Sequence, residues 1–339
     1  MTLTLRELIQ ARGRLLGIAV HTPLVRAFAE STAVPHVRHT LADVGLHTTG
    51  AEEFYIKAES LQPIGSFKLR GAYNKIAQLT AAERARGVIT YSSGNHAQGV
   101  AYAARAVGAR SVIVMPVSAP EIKQQATAAL GAEIVHVGDG SEERRDKALA
   151  LAAEHGYVVI PPYDDEAIIA GQGTAGLEIF DDLPDVELVL VPVGGGGLSS
   201  GIATALKLSG SRARVFGVEP ELANDAQQSL QAGSIMRIEA ASAASTIADG
   251  LRTQSIGHAN FALLTTYLDG IITVSEDEIR RTMRRIILEA RLTAEPSGSV
   301  ATAAWLYHRS ELPPSRKTVA VLSGGNAEPR QIAQILEER

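Results

Sequence analysis

From residue 87 onward, short β-branched apolar runs alternate with alanine-rich stretches in which apolar positions recur at helical spacing. The pattern predicts strands at 87–91, 111–115, 133–137, 188–193, 214–218 and 318–322. It predicts helices at 97–107, 121–130, 141–155, 198–208 and 329–339. Near-continuous apolar strands separated by helices imply α/β architecture, with mostly parallel sheets covered on both faces. No low-complexity linker and no repeat of solenoid length interrupts the chain. Two interleaved domains without a flexible tether are therefore expected, with Pro161-Pro162 as a crossover between them.

Composition narrows the class. The 339 residues are 45% hydrophobic and 20% charged, ordinary values for a globular enzyme. A formal net charge of −5 without a basic stripe argues against nucleic acid as a partner. There is no cysteine, so disulfides, thiolate catalysis and cysteine zinc sites are excluded, and a reducing cytoplasm is suited. The first residues carry no positive patch followed by a long apolar run, so no signal peptide is expected. The apolar run at 186–193 stops at glycines and is too short to cross a bilayer, so no membrane is expected and the cytoplasm is the default. No regulatory module follows the last predicted helix, so isoleucine feedback is not expected.

Four segments carry chemistry. Lys68 lies in Gly65-Ser66-Phe67-Lys68-Leu69-Arg70-Gly71. Partial burial favours the neutral, nucleophilic amine of such a lysine, which can form a Schiff base with a carbonyl cofactor. Gly194, Gly195, Gly196 and Gly197 stand between a predicted strand and helix. Without side chains, their N–H groups and the helix N-terminus can meet an anion, making a phosphate cradle at a strand's carboxyl end. The rival reading is a dinucleotide fold, because Glu219 follows at about 20 residues, where an acid would meet a ribose. The third glycine of G-x-G-x-x-G is missing, however: Ser199 or Ser200 stands in its place. A tight strand–helix turn alone would need fewer glycines.

Ser92-Ser93-Gly94-Asn95-His96 opens a helix after a strand. Serine and asparagine are good N-caps, so capping is one reading. In the other, exposed N–H groups and hydroxyls bind a carboxylate. Ser323-Gly324-Gly325-Asn326 follows a strand and by itself is a turn. His96 reads as a helix-surface residue rather than a proton carrier, and no H-E-x-x-H cluster occurs. Glu219 and Asp225, with a backbone carbonyl between them, can hold a hard cation; the alternative is a solvated acidic loop. Taken together, the segments match an aldehyde carbon, a substrate carboxylate, a phosphate and a ring nitrogen, which are the groups of an amino-acid substrate and pyridoxal 5'-phosphate (PLP).

As a set these segments resemble the fold-type II PLP enzymes, specifically the threonine/serine dehydratase (ammonia-lyase) and serine racemase group. The resemblance runs nearly end to end. It also includes His21-Thr22-Pro23-Leu24, Ala170 to Thr174 (Ala-Gly-Gln-Gly-Thr), Thr246 to Gly250 (Thr-Ile-Ala-Asp-Gly) and Glu295-Pro296-Ser297-Gly298. It implies a tryptophan synthase β-like fold of two interleaved three-layer α/β/α domains: a large PLP-binding domain at 1–78 and 162–339, and a small mobile domain at 79–161. By the resemblance Lys68 holds the cofactor and shuttles the α-proton, and Phe67 stacks near the ring. Asn95 meets the ring's 3-hydroxyl, Gly194, Gly195, Gly196 and Gly197 hold the phosphate, and Ser323 meets the pyridine nitrogen. Ser92, Ser93, Gly94, Asn95 and His96 form the substrate-carboxylate segment. Ser93 matches the acid/base on the face opposite the lysine in racemases. Glu219, the carbonyl of Ala223 and Asp225 match a site for Mg²⁺, Ca²⁺ or Mn²⁺, and a homodimer is implied.

The implied activity is β-elimination from L-threonine or L-serine, giving 2-oxobutanoate or pyruvate plus ammonia. One departure bears on the choice: racemase-like members tend to carry asparagine after the proline where Tyr163 follows Pro162, which tilts the reading to a dehydratase. The alternatives are a serine racemase, a lyase for 3-hydroxyaspartate or phenylserine, and, from another class, a non-catalytic nucleotide-binding protein.

Overall fold

A computed structural model describes residues 3–28, 52–119, 121–138 and 140–338. Residues 29–51 of the expected large domain, and Arg339 of the expected last helix, lie outside the described residues.

Among the described residues ten strands form two sheets. β1 (Leu24–Arg26), β2 (Glu53–Ala58), β7 (Leu188–Pro192), β8 (Arg214–Pro220), β9 (Gly270–Val274) and β10 (Lys317–Leu322) make a six-stranded sheet in the order β1-β2-β10-β7-β8-β9. β3 (Val88–Tyr91), β4 (Ser111–Pro116), β5 (Glu133–Val137) and β6 (Val158–Val159) make a four-stranded sheet in the order β5-β4-β3-β6. β1 runs antiparallel to β2, and every other ladder among the described residues is parallel.

Burial explains why the strands read as they do. β7 is buried at every position, since helices cover both faces of the sheet. β5 lies at a sheet edge and has only partly buried and exposed positions, the pattern of a strand with less cover. Helix ends follow local signals. Ser275 and Glu278 form a capping box on the helix Glu276–Arg285, and Asp165 accepts from the N–H groups of Ala167 and Ile168 to start the helix Glu166–Asp182. The main core lies under the six-stranded sheet, where Phe54 and Trp305 stack with ring centroids 4.0 Å apart.

The predicted strand 133–137 and helix 141–155 coincide with the observed elements. The helix predicted to begin at 97 begins at Asn95, because Gly94 serves as its N-cap. β1, β2, β6 and β9 were not predicted; they are short or carry charged and partly exposed positions that mask the strand pattern. Pro161 and Pro162 connect β6 of the small sheet to the helix Glu166–Asp182, as expected of a crossover.

Candidate active site

Three strand ends and one helix start converge on a single cavity of about 1090 Å³. β3 delivers Ser92 to His96, β7 delivers Gly194 to Gly197, and β10 delivers Ser323 to Asn326. Ligands of open parallel sheets sit at such carboxyl ends. The Lys68 helix (Lys68–Ile76) begins at the same place because its entry is stitched to the end of β10. Phe67 N–H donates to the Ser323 carbonyl at 3.0 Å, Gly325 N–H donates to the Gly65 carbonyl at 2.9 Å, and Ser66 bridges to Gly324.

Lys68 is partly buried, and its Nζ donates to the Pro162 carbonyl at 2.8 Å. Loss of hydration lowers its pKa to about 8. The helix N-terminus beside it also disfavours a cation. The Phe67 ring centroid is 5.1 Å from Nζ.

Arg70, two positions on, is buried and anchors this helix. It pairs with both oxygens of Glu59 at 2.7 and 2.8 Å and with both oxygens of Glu178 at 2.6 and 2.7 Å. Lys57 Nζ adds a bond to Glu178 at 2.7 Å, and Thr22 Oγ1 donates to Glu59 at 2.5 Å. Two cations and two carboxylates thus close a buried, neutral cluster, the condition under which burying charge is tolerable. The Ala170 to Thr174 motif serves the same helix: Gln172 Oε1 accepts from Gly71 N–H at 3.1 Å, and Thr174 Oγ1 accepts from Arg70 at 3.1 Å.

The glycine run is shaped by close approach. A Cβ on Gly195 would lie 2.3 Å from the Tyr163 ring, and Gly196 has φ +94°, left-handed backbone that favours glycine. The helix Gly197–Leu208 starts there, and its first N–H groups have no partners inside the helix. Tyr163 is fixed over the run because its carbonyl accepts from Asn260 Nδ2 at 3.3 Å and Asp164 caps the helix His258–Tyr267.

The Ser92 to His96 segment lines the cavity, with Ser92, Ser93, Gly94 and Asn95 partly buried. Ser92 Oγ accepts from Gly94 N–H at 3.3 Å. His96 departs from expectation. It is buried rather than on a helix surface, its Nε2 bonds the Ile160 carbonyl at 3.0 Å, and burial together with the nearby Lys68 lowers its pKa to about 3. It is therefore neutral, and Nε2 carries the proton that the carbonyl accepts.

Asn95 is more committed than expected. Its Nδ2 donates to Glu295 Oε1 at 2.7 Å, and its Oδ1 accepts from Asn326 Nδ2 at 2.7 Å. Glu295 was not singled out as a functional residue; the signal for it was only its place at the head of Glu-Pro-Ser-Gly. Lys123 and Asp249 also went unread: they form an ion pair of 2.6 Å between the small-sheet unit and the large one, at the cavity wall.

The acidic segment is not a solvated loop. Glu219 and Asp225 have no exposed surface, and Ala223 is buried as well. Burial and then Asp225 push the Glu219 pKa well up, and burial raises that of Asp225 to about 7. The Glu219 oxygens accept from the N–H groups of Ala226 and Gln227 at 3.0 and 2.8 Å, while Asp225 Oδ2 has no hydrogen-bond partner. Among the described residues no group of three or more histidine, cysteine, aspartate or glutamate side chains could hold a metal; any site here has two carboxylates and a carbonyl.

A lysine of lowered pKa, a side-chain-free anion cradle and a buried serine after β10 fit the amine-reactive carbon, the phosphate and the ring of PLP. The family model described as pyridoxal-phosphate dependent enzyme matches residues 22–324. The chain belongs to that family. Within this PLP-dependent family it is 44% identical over 287 residues to the L-threonine ammonia-lyase of Thermotoga maritima, covering 84% of this chain and 70% of that one. It is 40% identical over 284 residues to the L-threo-3-hydroxyaspartate ammonia-lyase of Saccharomyces cerevisiae, covering 84% and 86%. The solved structure of maize serine racemase superposes with a TM-score of 0.89 at 31% identity, over 98% of this chain and 97% of that one. The expected fold-type II architecture and the PLP dependence are thereby established, and the non-catalytic nucleotide-binding alternative falls away.

Proposed function

We propose that this PLP-dependent enzyme is an ammonia-lyase that converts L-threonine or L-serine to 2-oxobutanoate or pyruvate plus ammonia by β-elimination. The observation that carries the reading is the Lys68 amine, with its pKa lowered to about 8, lining the same cavity as the glycine run Gly194 to Gly197. Likeness to ammonia-lyases at 44% and 40% identity supports it.

The cavity residues divide the work. Gly194, Gly195, Gly196 and Gly197 hold the cofactor phosphate with main-chain N–H groups, Phe67 flanks the ring, and Asn95 meets its phenolic oxygen. Ser323 meets the ring nitrogen, and Ser92 to His96 orient the substrate carboxylate. Bound there, PLP supplies an electron sink that acidifies the substrate's α-hydrogen. Lys68 accepts that proton from Cα, and a neutral amine near pH 8 suits the task. A serine hydroxyl does not protonate the ring nitrogen as an aspartate would. A ring so held would be the weaker electron sink, which suits departure of the β-hydroxyl as water along with loss of the α-proton.

Ser93 at the cavity wall favours a second activity, proton return to the opposite face of Cα, which would racemise serine. Glu219, Ala223 and Asp225 are assigned as a site for Mg²⁺, Ca²⁺ or Mn²⁺, supported by the partnerless Asp225 Oδ2. The cysteine-free composition suits the cytoplasm. Residues 79–161 as a mobile small domain against 1–78 and 162–339, and a homodimer, complete the reading.

The test is a substrate panel on purified holoenzyme, beside Lys68→Ala, reading oxo-acid release, the cofactor's visible spectrum and the chirality of leftover amino acid. Oxo acid from threonine or serine, lost in the variant, supports the lyase. Enantiomer accumulation with little oxo acid makes it a racemase. Inactivity on both with bound cofactor moves the substrate to 3-hydroxyaspartate or phenylserine.

A further inference from the structure

We infer that Glu295 is a positioning residue that fixes the side-chain amide of Asn95 so that one of its N–H groups is presented to the cofactor ring. The inference rests on the reading of Asn95 as the partner of the ring's phenolic oxygen. Three side chains close a loop. Asn95 Nδ2 donates to Glu295 Oε1 at 2.7 Å, Asn326 Nδ2 donates to Asn95 Oδ1 at 2.7 Å, and Glu295 Oε2 accepts from Asn326 N–H at 3.1 Å. The other N–H of Asn326 Nδ2 goes to the Ile64 carbonyl at 2.8 Å, so Asn326 cannot turn its amide round.

The loop leaves Asn95 one orientation. Turned over, it would set its oxygen against the Glu295 carboxylate and its NH₂ against the Asn326 NH₂. An amide carries two donor hydrogens. One is taken by Glu295, and the second remains on the cavity side, where Asn95 lines the wall.

The arrangement depends on Glu295 being ionised. A carboxylate accepts at both oxygens, whereas a carboxylic acid turns one oxygen into a donor. Glu295 is 4% exposed, and burial, then Asp249, raise its pKa to about 7; its bonds to Asn95 and Asn326 and the Lys123 ammonium oppose that rise. Lys123 is itself bonded to Asp249 at 2.6 Å and faces Glu328. The groups facing Glu295 are thus Asn95 from its helix, Gly324 and Asn326 after β10, Asp249 from the short 3-10 helix Asp249–Leu251 and Lys123 from the helix Glu121–Ala129. A change in ionisation of Glu295 would reorient Asn95, and the ring's absorption would report it.

The experiment compares holoenzymes of the wild type, Glu295→Gln, Asn326→Ala and Asn95→Ala. The readouts are the absorption band of bound PLP on either side of about pH 7 and the PLP dissociation constant of each apoenzyme. The wild-type band should change with a midpoint near pH 7, and Glu295→Gln should remove that change. Glu295→Gln should also weaken PLP roughly threefold to tenfold, the weight of one neutral hydrogen bond. A merely structural residue would lower thermal stability and leave the midpoint in place. Should Glu295→Gln fail to fold, Asn326→Ala tests the same loop: the midpoint should remain while the band shifts. A wild-type band insensitive to pH, a midpoint that survives in Glu295→Gln, or an unshifted band in Asn326→Ala overturns the inference. Asn95→Ala separates the two layers: an unshifted band there refutes Asn95 as the ring's partner, and the role of Glu295 with it.

Discussion

Lys68 donates through Nζ to the main-chain oxygen of Pro162, 2.8 Å away. Pro162 belongs to the crossover that leaves the small sheet, and Lys68 opens a helix whose entry is tied to the end of β10. The Lys68 amine is thus held by the segment that joins the two sheets, and its pKa depends on how dry that junction keeps it.

Cofactor loading should follow the titration of Lys68. A lysine pKa lowered from 10.5 to about 8 means that the neutral amine dominates above about pH 8. The rate at which PLP forms its lysine-linked chromophore should rise roughly fivefold from about pH 7 to about pH 8 and level off beyond about pH 9. Stopped-flow absorbance on the apoenzyme measures this. A rate that keeps climbing toward pH 10.5 would show the amine to be fully hydrated.

Gly195→Ala should cripple PLP binding without unfolding the chain. The added Cβ would come within 2.3 Å of the Tyr163 ring, so either the ring or the cradle must move. A displaced cradle loses main-chain bonds to the phosphate, at roughly 1.5–3 kcal/mol for each charge-assisted one, so affinity should fall more than about tenfold. Equilibrium dialysis measures the loss. The double variant Gly195→Ala with Tyr163→Ala should recover part of it.

Arg70→Met should be among the most destabilising single changes in the chain. It leaves Glu59 and Glu178 buried with only Lys57 opposite them. Breaking a buried ion pair by removing one partner costs about 3–5 kcal/mol. Urea unfolding should show the midpoint falling. Because the cluster anchors the Lys68 helix, the chromophore should weaken in parallel.

A divalent cation should raise the melting temperature of the wild type and have no effect on Asp225→Ala. Burial disfavours the ionised form of both carboxyl groups, and one of them has an oxygen with no hydrogen-bond partner; a bound cation would displace their protons and supply the missing partner. Calorimetry with Mg²⁺, Ca²⁺ and Mn²⁺ in turn tests this. Equal melting temperatures with and without metal would remove the assignment.

Local signals made part of this protein legible before folding was considered. The strands β4, β5 and β7 and the helix Ser141–His155 carry their periodicity in consecutive residues, and Lys68 and Gly194 to Gly197 are short segments whose chemistry depends on residue type. β2 escaped because it carries Glu53 and Lys57 among its six residues, and Lys57 becomes tolerable only when Glu178, 121 positions away, answers it. His96 was misread for the same reason: nothing in its neighbours shows that the Ile160 carbonyl, 64 positions on, will cover it.

The sequence alone determined the α/β class, the order of the parallel elements, and where along the chain the Lys68 segment and the glycine run stand, since each is encoded by near neighbours. The tertiary structure decided which groups are dry and which are paired. It brought Glu295 to Asn95 across 200 positions and Asp249 to Lys123 across 126, and it closed Arg70 between two carboxylates. The physical reason is that ionisation and hydrogen-bond direction are set by the loss of water and by partners in space, and chain order specifies neither.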